Sequence, residues 1–317
     1  MSNITKPTEI FVPRYHELQQ ILNEHERAHW NADEADMRTD VEQWKSGKIT
    51  DSEKAYIKMI LRLFTQADTN VCASYSERLI PKFRNADARM MLLSFANREV
   101  THMLGYKRLN DTLGYDTEAF MSEFLDFSEM KAKHDYMIED ADLETEAGTA
   151  TYLAKQVLME GVNLFGPFGM LLSFSGEGKL PGTTFVNQWS VADESLHVRG
   201  LVALLRVYLE ENPQVVTNTF KADVYKTYTK IIELEDAFIN LVYSVGTNKN
   251  ATAEQAMQYV RYIGDYRMQQ MGFKPQYNIK ENPLPVVEQV TGNTLGNFFE
   301  TTVVQYSKNS LTGNWAY

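Results

Sequence analysis

The sequence predicts an all-α protein, and three observations carry that expectation. Long tracts place apolar residues at helical spacing, helix start and stop signals bracket them, and no run alternates like a series of strands. Only nine prolines and seventeen glycines interrupt 317 residues. At roughly 150 residues per domain, this length allows one large domain or two modest ones, with a sizeable core.

In chain order, residues 14–29 form the first expected helix. A long one opens at Thr50, where Thr50 and Glu53 have capping-box spacing. It sets Ile57, Leu61, Phe64, Asp68, Val71 and Tyr75 on one face and stops near Pro81. Residues 85–113 follow, with Leu92, Phe95, Glu99, His102, Tyr106 and Leu109 in steps of three and four before Gly114. Residues 117–131 make a shorter helix. Residues 145–174 carry Leu153, Gln156, Glu160, Leu164 and Phe168, with a kink expected at Gly166-Pro167 because proline removes a ladder hydrogen bond. Residues 185–211 place Ser190, Glu194, His197, Leu201, Leu204 and Tyr208 on one face. Helices at 219–245 and 252–271 complete the set. Beyond Gly272 the pattern breaks at Pro275, Pro283 and Pro285, so residues 1–290 read as the folded domain and 291–317 as a flexible tail.

Composition narrows the function. A net charge of −11 argues against nucleic acid as a partner, since that affinity rests on clustered Lys and Arg. The single cysteine, Cys72, cannot build a disulfide framework or a Cys-rich zinc site, which fits a reducing cytoplasmic compartment. No secretory signal is visible, and no stretch approaches the roughly 18 apolar residues of a membrane span, so no membrane role is expected.

The informative anomaly is charge on core-facing stripes, because an unpaired buried charge is costly. Each of the four long helices places one carboxylate there: Asp68, Glu99, Glu160 and Glu194. Two faces add a histidine one turn later, as Glu99-Val100-Thr101-His102 and Glu194-Ser195-Leu196-His197, and i,i+3 side chains project the same way. Asp68 to Glu99 spans 31 positions and Glu160 to Glu194 spans 34, enough for each helix to turn back on the next. Four carboxylates and two imidazoles then converge in a four-helix core, the arrangement of ferritin-like di-iron and di-manganese proteins. Two divalent cations would neutralise the four carboxylates, and oxygen-rich ligation with one imidazole per metal suits Fe or Mn. A third match, Glu26-Arg27-Ala28-His29, has no upstream carboxylate partner and sits in a charged stretch, so it reads as a decoy.

These residues resemble the small, radical-generating beta subunit of class I ribonucleotide reductase, over roughly Trp30 to Tyr306. Tyr106 stands one turn beyond His102, where that family's radical-bearing tyrosine sits. Asp193 precedes Glu194 as in the family's Asp-Glu-x-x-His segment. Trp30 matches the tryptophan of the radical-transfer route, and Phe298-Phe299-Glu300 followed by Tyr306-Ser307 looks like the tail that docks on the large subunit. The resemblance implies that Asp68, Glu99 and His102 bind one metal and Glu160, Glu194 and His197 the other. It implies oxygen-derived activation, an oxidant relayed through Trp30 and Tyr306, and an Asp193–His102 bridge between Trp30 and the metals. It further implies a homodimer working with the large (alpha) subunit to reduce ribonucleotides, and leaves open a flavoprotein activator. Leu164 and Ser190 depart from residues often apolar and bulkier in the family, so the oxidant could be metal-centred instead of tyrosyl. Trp189 is expected as a further redox-capable ring near the cluster.

Plainer expectations stand beside these. His16, His25 and His134 read as surface histidines. A di-metal oxidase or oxygenase of the same architecture would need a substrate cavity beside the metals, and no Trp30 or tail. An iron-storage bundle would take up many more than two metals per chain.

Overall fold

The computed structural model describes residues 4–287, and among these there is no strand. Helices α1 (His16–Arg27) and α2 (Arg38–Ser46) lead into α3 (Asp51–Ala73). The Thr50 cap forms as the spacing predicts: Glu53 N donates to Thr50 Oγ1 at 3.2 Å and Thr50 N to Glu53 Oε2 at 2.9 Å. The rod then passes through a π-helical turn (Ser74–Leu79) and ends at Ile80–Lys82. Helix α4 (Ala86–Leu113) starts under an Asn85 cap and stops at Gly114, whose φ of +82° is the left-handed conformation glycine reaches cheaply.

The helix expected at 117–131 is two, α5 (Glu118–Ser122) and α6 (Ser128–Ile138). A 3-10 turn (Glu123–Asp126) joins them, and Arg62 Nε donates to the Phe120 carbonyl of α5 at 3.1 Å. Helix α7 (Glu146–Leu158) is capped by Thr145 and runs into a second π-helical turn (Met159–Asn163) before α8 (Phe165–Leu172). The distortion therefore lies one turn upstream of Gly166-Pro167. Proline acts backwards: its missing N–H and its ring both bear on the carbonyl four residues earlier, that of Asn163.

Helix α9 (Pro181–Glu211) starts a turn earlier than expected, with Pro181 in its first turn. Its N-terminus is capped from a distance: Asp40 of α2 accepts from Gly182 N and Thr183 N, both at 2.8 Å. Threonine-capped helices α10 (Asn218–Val245) and α11 (Ala253–Gln270) follow. Helix α3 packs along α4, α4 against α9 and α9 against α7, while α10 and α11 cover α7 from outside. Together these rods bury the predicted stripes of α3, α4 and α9.

One expectation is corrected by composition alone. Glu146–Glu177 contains an 18-residue window with a mean hydropathy of 1.4, apolar enough to cross a membrane, but the whole of that window is buried inside the bundle. It is the core strut of the fold, apolar on every side because α9, α10 and α11 surround it.

Two glycines near the cluster stand under a close approach. A Cβ on Gly105 would stand 3.2 Å from the Trp30 ring, and one on Gly161 would stand 2.9 Å from Nε of Arg267. Gly161→Ala should therefore destabilise the chain by about 1–3 kcal/mol, read as a lowered urea midpoint with unchanged slope.

Candidate metal centre

Asp68 comes from α3, Glu99 and His102 from α4, Glu160 from the π turn after α7, and Glu194 and His197 from α9. All six are buried. Glu99, Glu160, Glu194 and His197 each offer a ligand atom, and these atoms all lie within 4.8 Å of one another. His102 Nδ1 joins them at 3.3 Å from Glu99 Oε2 and 3.3 Å from Glu194 Oε1. His197 Nδ1 lies 3.0 Å from Glu99 Oε1, and 3.4 Å from both Glu160 Oε2 and Glu194 Oε2. Glu99 and Glu194 thus each point one oxygen at either imidazole and sit between the two, while Glu160 faces His197. Asp68 is within electrostatic reach of His102, Glu99, Glu194 and His197.

The chemistry of the cluster asks for cations. Asp68 Oδ2, Glu99 Oε1, Glu160 Oε1, both Glu194 oxygens and His197 Nδ1 are buried without a hydrogen-bond partner, and all belong to the six converging residues. Burial favours neutral imidazole, yet the surrounding carboxylates overcome it and hold His102 and His197 well above the usual histidine range. Burial pushes Asp68 well up and Glu160 up to about 7. Divalent ions would meet the same charge. Four carboxylates and two imidazoles with no thiolate fit a pair of hard or borderline ions, and the residues present fit such a group.

Outside the cluster the two histidines are held differently. His102 Nε2 is 3.1 Å from Asp193 Oδ2, which also accepts from Trp30 Nε1 at 2.7 Å. Trp30, Asp193 and His102 therefore form one buried chain, with Asp193 between the indole and the imidazole. Burial opposes charge on Asp193, but Arg98 and His102 hold its carboxyl well below the usual range. Arg98 NH1 donates to Asp193 Oδ1 at 3.0 Å. Trp189 is placed against Trp30, with ring centroids 5.1 Å apart, on the outward side of that chain.

His197 is held by His25, and here the surface reading of His25 fails. His25 is buried, its Nε2 is 3.0 Å from His197 Nε2, and its Nδ1 is 2.7 Å from Ser94 Oγ, which in turn donates to Glu26. If His197 Nδ1 keeps its lone pair for a cation, its Nε2–H donates to His25, whose Nδ1–H donates to Ser94: every role in the chain is then fixed. Burial, with His197 adding to it, pushes the His25 pKa down to about 2, in keeping with a neutral ring. His16 is exposed as expected, and His134 is half-buried against Asn70. Glu26 and His29 are exposed, so the third Glu-x-x-His is indeed no part of the cluster.

Two buried phenols flank the site. Tyr106 stacks on Phe64 at 4.6 Å and donates to Asn187 Oδ1 at 3.1 Å, not to a carboxylate. Ser190, buried on α9 beyond Asn187, also stands against the Tyr106 phenol, and its hydroxyl works against the rise in that phenol's pKa. Tyr75 donates to Glu160 Oε2 at 2.6 Å. Burial raises both phenol pKa values well above the ordinary one. Sequence reasoning missed Arg98, Asn187, Tyr75 and His25 as members of the site. Tyr75 had a signal, since it falls on the face that carries Asp68, whereas the other three are defined by contacts between helices. Tyr306, Phe298, Phe299 and the rest of the expected tail lie outside the described residues.

His25→Ala should strand the His197 Nε2–H and cost about 1–3 kcal/mol in thermal or urea unfolding, whereas His25→Gln, which keeps an acceptor, should recover most of it.

Comparison with known proteins agrees with this geometry. Residues 7–283 match the family described as ribonucleotide reductase, small chain. A probable ribonucleoside-diphosphate reductase small subunit of Invertebrate iridescent virus 3 is 36% identical over 312 residues, covering 92% of this chain and 82% of its own length. A putative class I ribonucleotide reductase structure from Bacillus halodurans superposes with a TM-score of 0.79 at 20% identity, covering 87% of this chain and all of that one. The Rnr4 homodimer of Saccharomyces cerevisiae gives 0.73 at 20% identity, covering 96% of this chain and 91% of that one. At such identities the two structures speak to the fold, a ferritin-like helical bundle, while the sequence matches identify the lineage: this chain belongs to the ribonucleotide reductase small-chain family.

Proposed function

We propose that this small subunit of a ribonucleoside-diphosphate reductase holds two Fe or Mn ions on Asp68, Glu99, His102, Glu160, Glu194 and His197, and delivers a stored oxidising equivalent to the large subunit through Trp30. The observation that carries this reading is the buried Trp30–Asp193–His102 hydrogen-bond chain. Two such ions, activated by oxygen or a reduced oxygen species, supply one-electron oxidising power. Within the chain, Glu99 and Glu194 each present one oxygen to either imidazole, where they could serve both ions, and Glu160 faces His197. Asp193 Oδ2 is placed to accept the indole proton when Trp30 loses an electron, and Arg98 keeps that carboxylate ionised and in place. The apolar shell around Phe64, Phe95 and Phe168 keeps water from the site.

Tyr106 is proposed to store the oxidant. A second reading, with the oxidant on the metals or on Tyr75, is favoured by the hydrogen bonds: Tyr106 faces an amide oxygen, a poor proton acceptor, while Tyr75 faces a carboxylate. An oxygenase reading is less well supported. A cavity of about 520 Å³ is lined by Trp30, Trp189, Asp193 and Tyr259 among others, and by none of the six cluster residues.

Partners follow from the same reading. We take the chain to be a homodimer: α4 turns an apolar stripe outward through Leu93, Val100 and Leu104, at 51%, 43% and 54% exposure, opposite its buried ligand face. The segment 291–317, with Tyr306, is assigned to docking on the large subunit. A cytoplasmic site of action, with no membrane or nucleic-acid partner, is consistent with the acidic charge and single cysteine. A flavoprotein activator would be revealed by activation with Mn that oxygen alone does not achieve.

Metal-free protein should take up about two divalent ions per chain with release of protons, because His102 and His197 must give theirs up. Uptake should weaken as pH falls from about 8 to about 6, measured by isothermal titration in buffers of different ionisation enthalpy. Paramagnetic resonance after activation with Fe, Mn or both would locate the oxidant. An organic signal lost in Tyr106→Phe assigns it to Tyr106, one lost only in Tyr75→Phe assigns it to Tyr75, and a metal-centred signal kept by both excludes either ring. Trp30→Phe should leave the signal intact and abolish ribonucleotide reduction with the large subunit; silence under every activation condition would sink the reading.

A further inference from the structure

Two buried cations take no part in the chemistry above, and both end on the same turn. Pro167 has no N–H, so the Asn163 carbonyl lacks its helical donor; Lys133 Nζ of α6 reaches it at 3.3 Å. Two residues earlier, the Gly161 carbonyl accepts from Arg267 Nε of α11, also at 3.3 Å. This turn, Met159–Asn163, is the one that carries Glu160.

The burial of these groups is expensive and deliberate in its geometry. Lys133 is 0% exposed and Arg267 5%. Lys133 is paired with the equally buried Glu235 and sits 4.6 Å from the centre of the Phe238 ring, while Arg267 lies 4.8 Å from that of Phe165. Glycine stands wherever these groups intrude: a Cβ on Gly161 would meet Arg267 Nε at 2.9 Å, and one on Gly166 would meet Glu235 Oε2 at 3.0 Å. Gly161, Gly166, Pro167, Lys133, Glu235 and Arg267 thus form one device. A π turn interrupts the i→i−4 ladder, and irregular turns of this kind hold a side chain in a direction a regular helix would not give it.

We infer that Lys133 and Arg267 are positioning residues for Glu160, donating from α6 and α11 to the Asn163 and Gly161 carbonyls of its turn and so fixing its carboxylate toward His197. The inference rests on the two-metal reading and predicts an effect at one metal position only, the one on the His197 side. If the buried pair served stability alone, replacing both partners with apolar residues would be close to neutral throughout, because their desolvation cost disappears with them.

The test is divalent-metal binding to full-length Lys133→Met/Glu235→Leu, Arg267→Leu and Arg267→Lys, beside unfolding midpoints of the metal-free proteins. Calorimetry with Mn(II) gives the affinities, and anomalous diffraction assigns them to positions. The expected result is a 10–100-fold loss at the His197-side position, typical of removing outer support from a ligand, with less than about threefold change at the other. Arg267→Lys should restore most of the loss seen in Arg267→Leu. Wild-type affinity at both positions in the double variant and in Arg267→Leu would overturn the inference, and so would an equal loss at both. Should the double variant fail to fold, the two Arg267 variants decide alone. Failure of wild-type protein to bind two ions would instead overturn the two-metal reading itself.

Discussion

Four carboxylates in the middle of an apolar bundle are the constraint around which the rest of this molecule is arranged. Left to themselves they would repel one another in a medium that screens poorly, so each must be met by a cation, a proton or a donor hydrogen. The helices answer by bringing two imidazoles between them, and the next layer answers for the imidazoles: Asp193 behind His102, His25 behind His197. That layer has its own needs, which Arg98, Trp30 and Ser94 meet. The polar network therefore grows outward from the cluster in successive shells, and the apolar residues pack in the space it leaves.

Much of this was legible in the chain, for a definable reason. A stripe repeating every three or four residues marks a buried face, and a carboxylate on such a stripe has no cheap explanation. Asp68, Glu99, Glu160 and Glu194 stood out on that ground, and His102 and His197 by their spacing. The capping box at Thr50 and the stop at Gly114 were equally local, and both form. What was hidden depends on which helix lies beside which. His25 occupies an ordinary amphipathic helix and is buried only because α1 packs over α4 and α9. The cap of α9 comes from Asp40, more than a hundred residues away, so no local signal marked the early start at Pro181. The π turns were invisible for a different reason: a proline announces a break, but its steric reach is upstream.

The same logic separates the two Glu-x-x-His pairs. His102 is backed by a carboxylate and His197 by a neutral ring, so the imidazoles are not equally electron-rich although both belong to Glu-x-x-His segments of similar surroundings in sequence. The pseudo-repeat that made the site recognisable is thus a repeat of first contacts only. Phenols differ likewise, Tyr106 facing an amide and Tyr75 a carboxylate.

The Tyr75–Glu160 hydrogen bond joins the two places where the helical ladder is loosened, since Tyr75 lies in the π turn after α3 and Glu160 in the π turn after α7. A regular helix resists bending along its whole length, but a rod with one slack turn can articulate there. Tying slack to slack means that neither joint can open without drawing on the other. The Glu160 carboxylate therefore couples the irregular turn of one rod to that of another, and it is itself a member of the buried cluster.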